Sequence, residues 1–200
     1  DAGAVVAIGG ALRDDNDAVW SKLVALAGGP DARYVVFGTA SGNPEGSAAR
    51  VVALLQSHGA EAESLPVAPK LPGVDVAQAV RDPELIARVK VATGVFFTGG
   101  AQERIVDVLQ PGGRTTPLLE AIRGVLDRGG VVAGTSGVSV VAGASGGVAS
   151  SVGASGAGSG AGPSSVGDSS SMGFSVSSFC RSSWSSIVES CRSWIACWSI

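Results

Sequence analysis

The runs Ala4–Ile8, Tyr34–Phe37, Gly94–Phe97 and Val131–Ala133 each stop at glycine and small polar residues, and helically spaced apolar residues lie between them. Runs this short, rich in β-branched and aromatic side chains, read as strands buried on both faces. Strand, helix, strand, helix with short connections predicts a parallel sheet with helices on both faces, a three-layer α/β fold. In such sheets ligands bind beyond the carboxyl ends of the strands. The clusters Gly9-Gly10, Gly38-Thr39-Ala40-Ser41, Thr98-Gly99-Gly100 and Gly134-Thr135-Ser136 all fall at those ends.

The helices follow from spacing. Asp17 is a plausible N-cap for a helix carrying Val19, Leu23 and Leu26, which Gly28-Gly29-Pro30 ends. Ala48, Val51, Val52 and Leu55 form an i, i+3, i+4, i+7 face, and the helix closes at His58-Gly59 with Gly59 past its end. Ala60 to Leu65 reads as a further strand, followed by a stiff connection through Pro66, Pro69 and Pro72. Pro83 opens a helix with Leu85, Ile86 and Val89 inward. Ile105, Val106 and Leu109 mark the next, and Leu118, Leu119, Ile122, Val125 and Leu126 the last before Gly129-Gly130.

Charge narrows the partners. The 200 residues carry a formal net charge of -3 with a pI near 5.1, which argues against a nucleic-acid surface. No uninterrupted apolar run suits a membrane helix, and no signal peptide is visible. A cytoplasmic location is expected, with secretion left open because the chain begins at Asp1. Neither Gly-x-Gly-x-x-Gly nor Gly-Lys-Ser/Thr occurs, so the Gly9-Gly10 turn is not read as a nucleotide loop. Asp14 and Asp15 read as a solvated pair with no His or Cys nearby to make a metal site. No metal and no cofactor are expected.

Ser136 is the place where chemistry is expected. A Ser on a sharp turn after a buried strand points its hydroxyl above the sheet and can act as a nucleophile, given a base and backbone N–H groups facing the oxyanion. By pattern alone it is more often an ordinary strand-to-helix Ser. Gly99-Gly100 could be a plain tight turn, and Gln102 a solvated first-turn residue.

Five stretches taken together go further. Ile8-Gly9-Gly10-Ala11, Asp15-Asn16 to Trp20, Phe37-Gly38-Thr39-Ala40-Ser41, Phe96-Phe97-Thr98-Gly99-Gly100-Ala101-Gln102 and Gly134-Thr135-Ser136 resemble, in order, the cyanophycinase-like serine peptidases. That peptidase family also holds the aspartyl dipeptidases. The resemblance implies a flavodoxin-like, class I glutamine amidotransferase-like fold. It also implies hydrolysis of cyanophycin, a poly-aspartate polymer with arginine on each side-chain carboxyl, to β-Asp-Arg dipeptides. Ser136 would be the nucleophile, the backbone amides near Gly100 and at Gly137 the oxyanion donors, and Gln102 a substrate contact. Such donors are typically worth about 3 kcal/mol each. The family motif often has Asp where this chain has Ala101.

The chain departs after Ser136. The family continues Ala-Gly-Ala; here Gly137-Val138-Ser139 follows, with Val at the elbow's second glycine. Residues 1–136 therefore read as an α/β hydrolytic domain and residues 137–200 as a Gly/Ser-rich tail foreign to the family; a shifted reading frame is the expected origin, a genuine secreted-type Ser/Gly linker the alternative. Ala142 to Ser171 is low in complexity, and Cys180, Cys191 and Cys197 show no Cys-x-x-Cys spacing. The family's later catalytic His has no counterpart. The only histidine, His58, ends a helix running back from the pocket by roughly 16 Å and reads as a helix-end residue. The expectation is a hydrolase in lineage with little or no turnover of its own, acting on cyanophycin or an aspartyl peptide. A non-catalytic binding remnant and an aspartyl dipeptidase are the alternatives. Oligomeric state is open, a homodimer being one candidate.

Overall fold

The computed structural model describes residues 3–9, 12–135 and 174–178. The elements are β1 (Ala4–Ile8), α1 (Asp17–Leu26), β2 (Arg33–Phe37), α2 (Pro44–Ser57), β3 (Glu61–Leu65), α3 (Val76–Ala79), α4 (Pro83–Val91), β4 (Gly94–Phe97), α5 (Gln102–Leu109), α6 (Pro117–Asp127), β5 (Val131–Thr135) and β6 (Phe174–Ser178). They build one sheet in the order β3-β2-β4-β5-β1-β6. β1 to β5 are parallel, with Val36 beside Phe96, Phe96 beside Ala133, and Ala133 beside Val6. The run β3-β2-β4-β5 repeats the first four places of the flavodoxin order, and the chain's own first strand fills the fifth.

The period of two along each strand divides the core. Val6, Ile8, Tyr34, Val36, Phe96, Val131 and Ala133 face α1 and α2, where Trp20, Leu23, Val51 and Leu55 cover them. Val35, Phe37, Val95, Phe97 and Val132 face the opposite way, under Val89, Ile105, Leu109, Leu118 and Ile122. Strands apolar on both sides are thus explained by a helical layer on each face. Phe37 and Phe97 stack with centroids 5.1 Å apart, joining β2 to β4 through their rings. The helices change face after β3, where the strand order also reverses, as crossovers of one hand require.

Local differences from the sequence expectations have physical reasons. Asn16, not Asp17, caps α1: its side-chain oxygen accepts from the Val19 amide at 3.3 Å, and Asp17 becomes the first helical residue. Of the α4 residues expected inward, Val89 is buried, while Leu85 and Ile86 are half-buried because the helix rides at the margin of the core. Asp14 and Asp15 are not simply solvated. Arg50 pairs with Asp14 and Arg13 with Asp15, and both carboxyls are held below their ordinary values chiefly by hydrogen bonds from those arginines. The reading of residues 137–200 contained no strand, yet β6 pairs antiparallel with β1, Val176 opposite Val6. Its Phe-Ser-Val-Ser-Ser sequence is too short and too serine-rich to stand out from its neighbours, and pairing covers an otherwise open edge. No described helix is long and apolar enough to cross a membrane.

Candidate active site

β2 and β4 are neighbours, but the helices that follow them leave to opposite faces. Their carboxyl ends therefore mark the switch point of the strand order, the crevice position at which α/β sheets of this kind bind ligands. Two loops line it, 38–43 after β2 and 98–101 after β4.

The first loop is held by its hydroxyls. Thr39 Oγ1 donates to the Val67 carbonyl at 2.5 Å, and Ser41 Oγ lies 2.7 Å from Ser47 Oγ while accepting from the Asn43 amide at 3.1 Å. Thr39, Ala40 and Ser41 are all buried. Gly38 is required by a close approach: a Cβ there would meet the Pro44 carbonyl oxygen at 2.5 Å, so only glycine lets α2 start so near the strand.

The second loop is laid against the first. The Thr98 amide donates to Phe37, continuing the ladder at 3.0 Å. Gly100 has φ +148, and a Cβ on it would overlap the Ala40 carbonyl. That carbonyl accepts from the Ala101 amide at 2.9 Å and from Arg104 Nη1 at 2.7 Å. The Gly99 and Gly100 amides have no hydrogen-bond partner among the described residues. The Thr98 hydroxyl, with its residue 4% exposed, also lacks one among them. Gln102 is the exposed first residue of α5, at the lip of the crevice.

β5 ends beside this loop. A Cβ on Gly99 would lie 3.0 Å from Thr135 Oγ1 and 3.3 Å from the Thr135 carbonyl oxygen. Ser136 and Gly137 themselves lie outside the described residues. Of the residues expected at the site, Gly100 and Gln102 are thus brought to one crevice, and the chain leading to Ser136 ends next to it.

His58 is elsewhere. It caps the C-terminus of α2, three residues before β3 begins, and so sits at the amino-terminal edge of the sheet. Its Nδ1 lies 2.7 Å from the Leu54 carbonyl oxygen and its Nε2 lies 3.2 Å from Asp17 Oδ1, the helix-end role expected from sequence. β3 alone spans roughly 16 Å between that edge and the crevice. Among the described residues no group of three His, Cys, Asp or Glu is placed to hold a metal.

The sequence reading missed Arg104, and it placed Ala40 in a loop at the strand ends without a role for its carbonyl. Arg104 stands two residues past Gln102, but nothing local shows that it reaches a carbonyl in the loop after β2. Ala40 contributes only backbone, which has no side-chain signature.

No protein-family model matches the chain. Among solved structures it is similar to a peptidase from an acI-B1 Actinobacterium, with a TM-score of 0.54 and 21% identity over 67% of this chain and 54% of that one. A candidate peptidase E protein from Listeria monocytogenes EGD-e gives a TM-score of 0.46 and 14% identity, over 68% of this chain and 59% of that one. The α/β fold is therefore one shared with a solved peptidase, and the chain spans little more than half the length of that protein.

Proposed function

We propose that this chain carries the nucleophile half of a serine hydrolase of the cyanophycinase type. Ser136 attacks an amide carbonyl, the backbone amides at Gly100 and Gly137 face the oxyanion, and Gln102 contacts the substrate. The observation that carries the reading is the convergence of Thr135, Gly99 and Gly100 at the carboxyl ends of β5 and β4. It brings Gly99, whose amide like that of Gly100 has no partner among the described residues, close to the residue preceding Ser136. Donors fixed beforehand near a developing oxyanion stabilise the transition state without reorganising. The fold shared with a solved peptidase supports the same reaction class.

Attack by a Ser hydroxyl moves its proton to a base, and the nucleophile is weak without one. The chain's single imidazole is at the other edge of the sheet. The proposal is therefore of a chain that recognises substrate and turns it over very slowly or not at all. An aspartyl dipeptidase on the same scaffold is the second reading.

Titration calorimetry of the full chain with soluble cyanophycin and with Asp-x dipeptides tests this. Saturable binding of the polymer, weakened about tenfold by Gln102→Ala, is expected from loss of one hydrogen bond to the substrate. Preference for the dipeptides selects the second reading. Binding of neither class overturns both.

A further inference from the structure

We propose that Arg104 is a positioning residue: through the Ala40 carbonyl it fixes the direction in which the Gly99 and Gly100 amides face. What those amides do rests on the hydrolase reading above. How they are held rests on geometry alone.

A carbonyl oxygen has two lone pairs. At Ala40 one is taken by the Ala101 amide at 2.9 Å and the other by Arg104 Nη1 at 2.7 Å. Rotating the peptide after Ala40 would break both bonds at once. Gly100 sits directly on this carbonyl, with no room for a Cβ between them. The backbone from Gly99 to Ala101 is thus located by one oxygen atom, and Arg104 holds that atom.

The guanidinium makes the stronger of the two bonds, since charge-assisted hydrogen bonds are roughly twice as strong as neutral ones. It also crosses the crevice, from α5 to the loop after β2, over 64 residues of sequence. Arg104 and Gln102 are two apart on α5, and residues so spaced leave a helix on different sides. Arg104 therefore acts on the floor of the site through Ala40, while Gln102 is left free at the lip. Its side chain is half-buried along this path, unlike a solvated surface cation.

The test compares the full chain with Arg104→Met and Arg104→Lys by amide NMR, hydrogen exchange and titration with the β-Asp-Arg dipeptide. In Arg104→Met the Gly99, Gly100 and Ala101 amide resonances move. The Ala101 amide exchanges about tenfold faster, because the carbonyl that accepts from it is no longer held by the guanidinium. The Thr98 amide, held by Phe37, keeps its protection, and the dipeptide Kd rises about tenfold. Arg104→Lys, which retains one charged donor, recovers part of each effect. Unchanged Ala101 exchange in Arg104→Met, or a uniform loosening of the whole sheet, overturns the proposal. Local loosening as described in a chain that binds neither the dipeptide nor soluble cyanophycin upholds the positioning role and removes the hydrolase reading.

Discussion

The hydroxyl of Thr39 donates to the carbonyl oxygen of Val67 at 2.5 Å and ties the loop after β2 to the chain just past β3. Both residues are fully buried. The Thr98 hydroxyl, in the adjacent loop, is buried without a partner among the described residues. Two threonines of similar burial thus stand in opposite hydrogen-bonding states. Thr39→Val leaves the Val67 carbonyl unsatisfied and is expected to cost about 1–3 kcal/mol. Thr98→Val removes a hydroxyl that bonds nothing described and is expected to stay within about 0.5 kcal/mol of the parent. Urea unfolding of the two variants checks the contrast, and equal losses would contradict it.

Glycines in the two crevice loops are predicted to differ as sharply. Gly100→Ala places a methyl against the Ala40 carbonyl at a φ of +148 and is expected to destabilise by about 1–3 kcal/mol. Gly42→Ala meets nothing within 4 Å and has no positive φ, so it is expected to stabilise by about 0.4–1 kcal/mol through a less mobile unfolded chain. Thermal melts of the pair suffice. A Gly100→Ala protein as stable as the parent would mean that the two loops do not meet as described.

Much of this fold is legible because burial on both faces of a sheet writes itself into short apolar runs. Val95-Phe96-Phe97 is such a run, and each residue is buried against one layer or the other. The end of α2 is equally local, since Gly59 adopts φ +93 where a helix must stop. The choice between Asn16 and Asp17 as cap is not, because adjacent residues have nearly equal cap preference and the loop's path decides. Strand order is harder still. β1 lies beside β5, and β6 beside β1, through backbone pairings that no window of sequence contains. At the site, the glycine clusters identified the strand ends. The bond from Arg104 to the Ala40 carbonyl joins a side chain to bare backbone across the crevice, and spacing cannot reveal it.

Tyr34 supplies a prediction for alkaline solution. It is the chain's only tyrosine, its hydroxyl donates to the Leu23 carbonyl at 2.8 Å, and burial pushes its pKa well above the ordinary value of 10.0. The folded state thus keeps a proton that the unfolded state releases near pH 10. Stability from this group is complete below that pH and falls as pH rises beyond it. Tyrosinate absorbance should appear only as the protein unfolds, and Tyr34→Phe should flatten the alkaline decline. Tyrosinate formation near pH 10 in a protein still folded by circular dichroism would refute the assignment.

The last prediction concerns the proton acceptor. His58 bonds at the C-terminus of α2 and to Asp17, and its edge of the sheet is opposite the crevice. Replacing it tests whether the chain's one imidazole has any part in the site. His58→Ala is expected to cost about 1 kcal/mol by removing the helix-end contacts, and to leave the dipeptide Kd unchanged. The parent chain, mixed with soluble cyanophycin and followed by chromatography, is expected to release no more β-Asp-Arg than a Ser136→Ala control. On the proposed reading Ser136 lacks a base, and what remains is binding and whatever the glycine amides contribute to a rarely formed oxyanion. Ser136-dependent release at an enzymatic rate would show that some other group takes the proton, and abolition of that release by His58→Ala would place the imidazole at the crevice, against the geometry described.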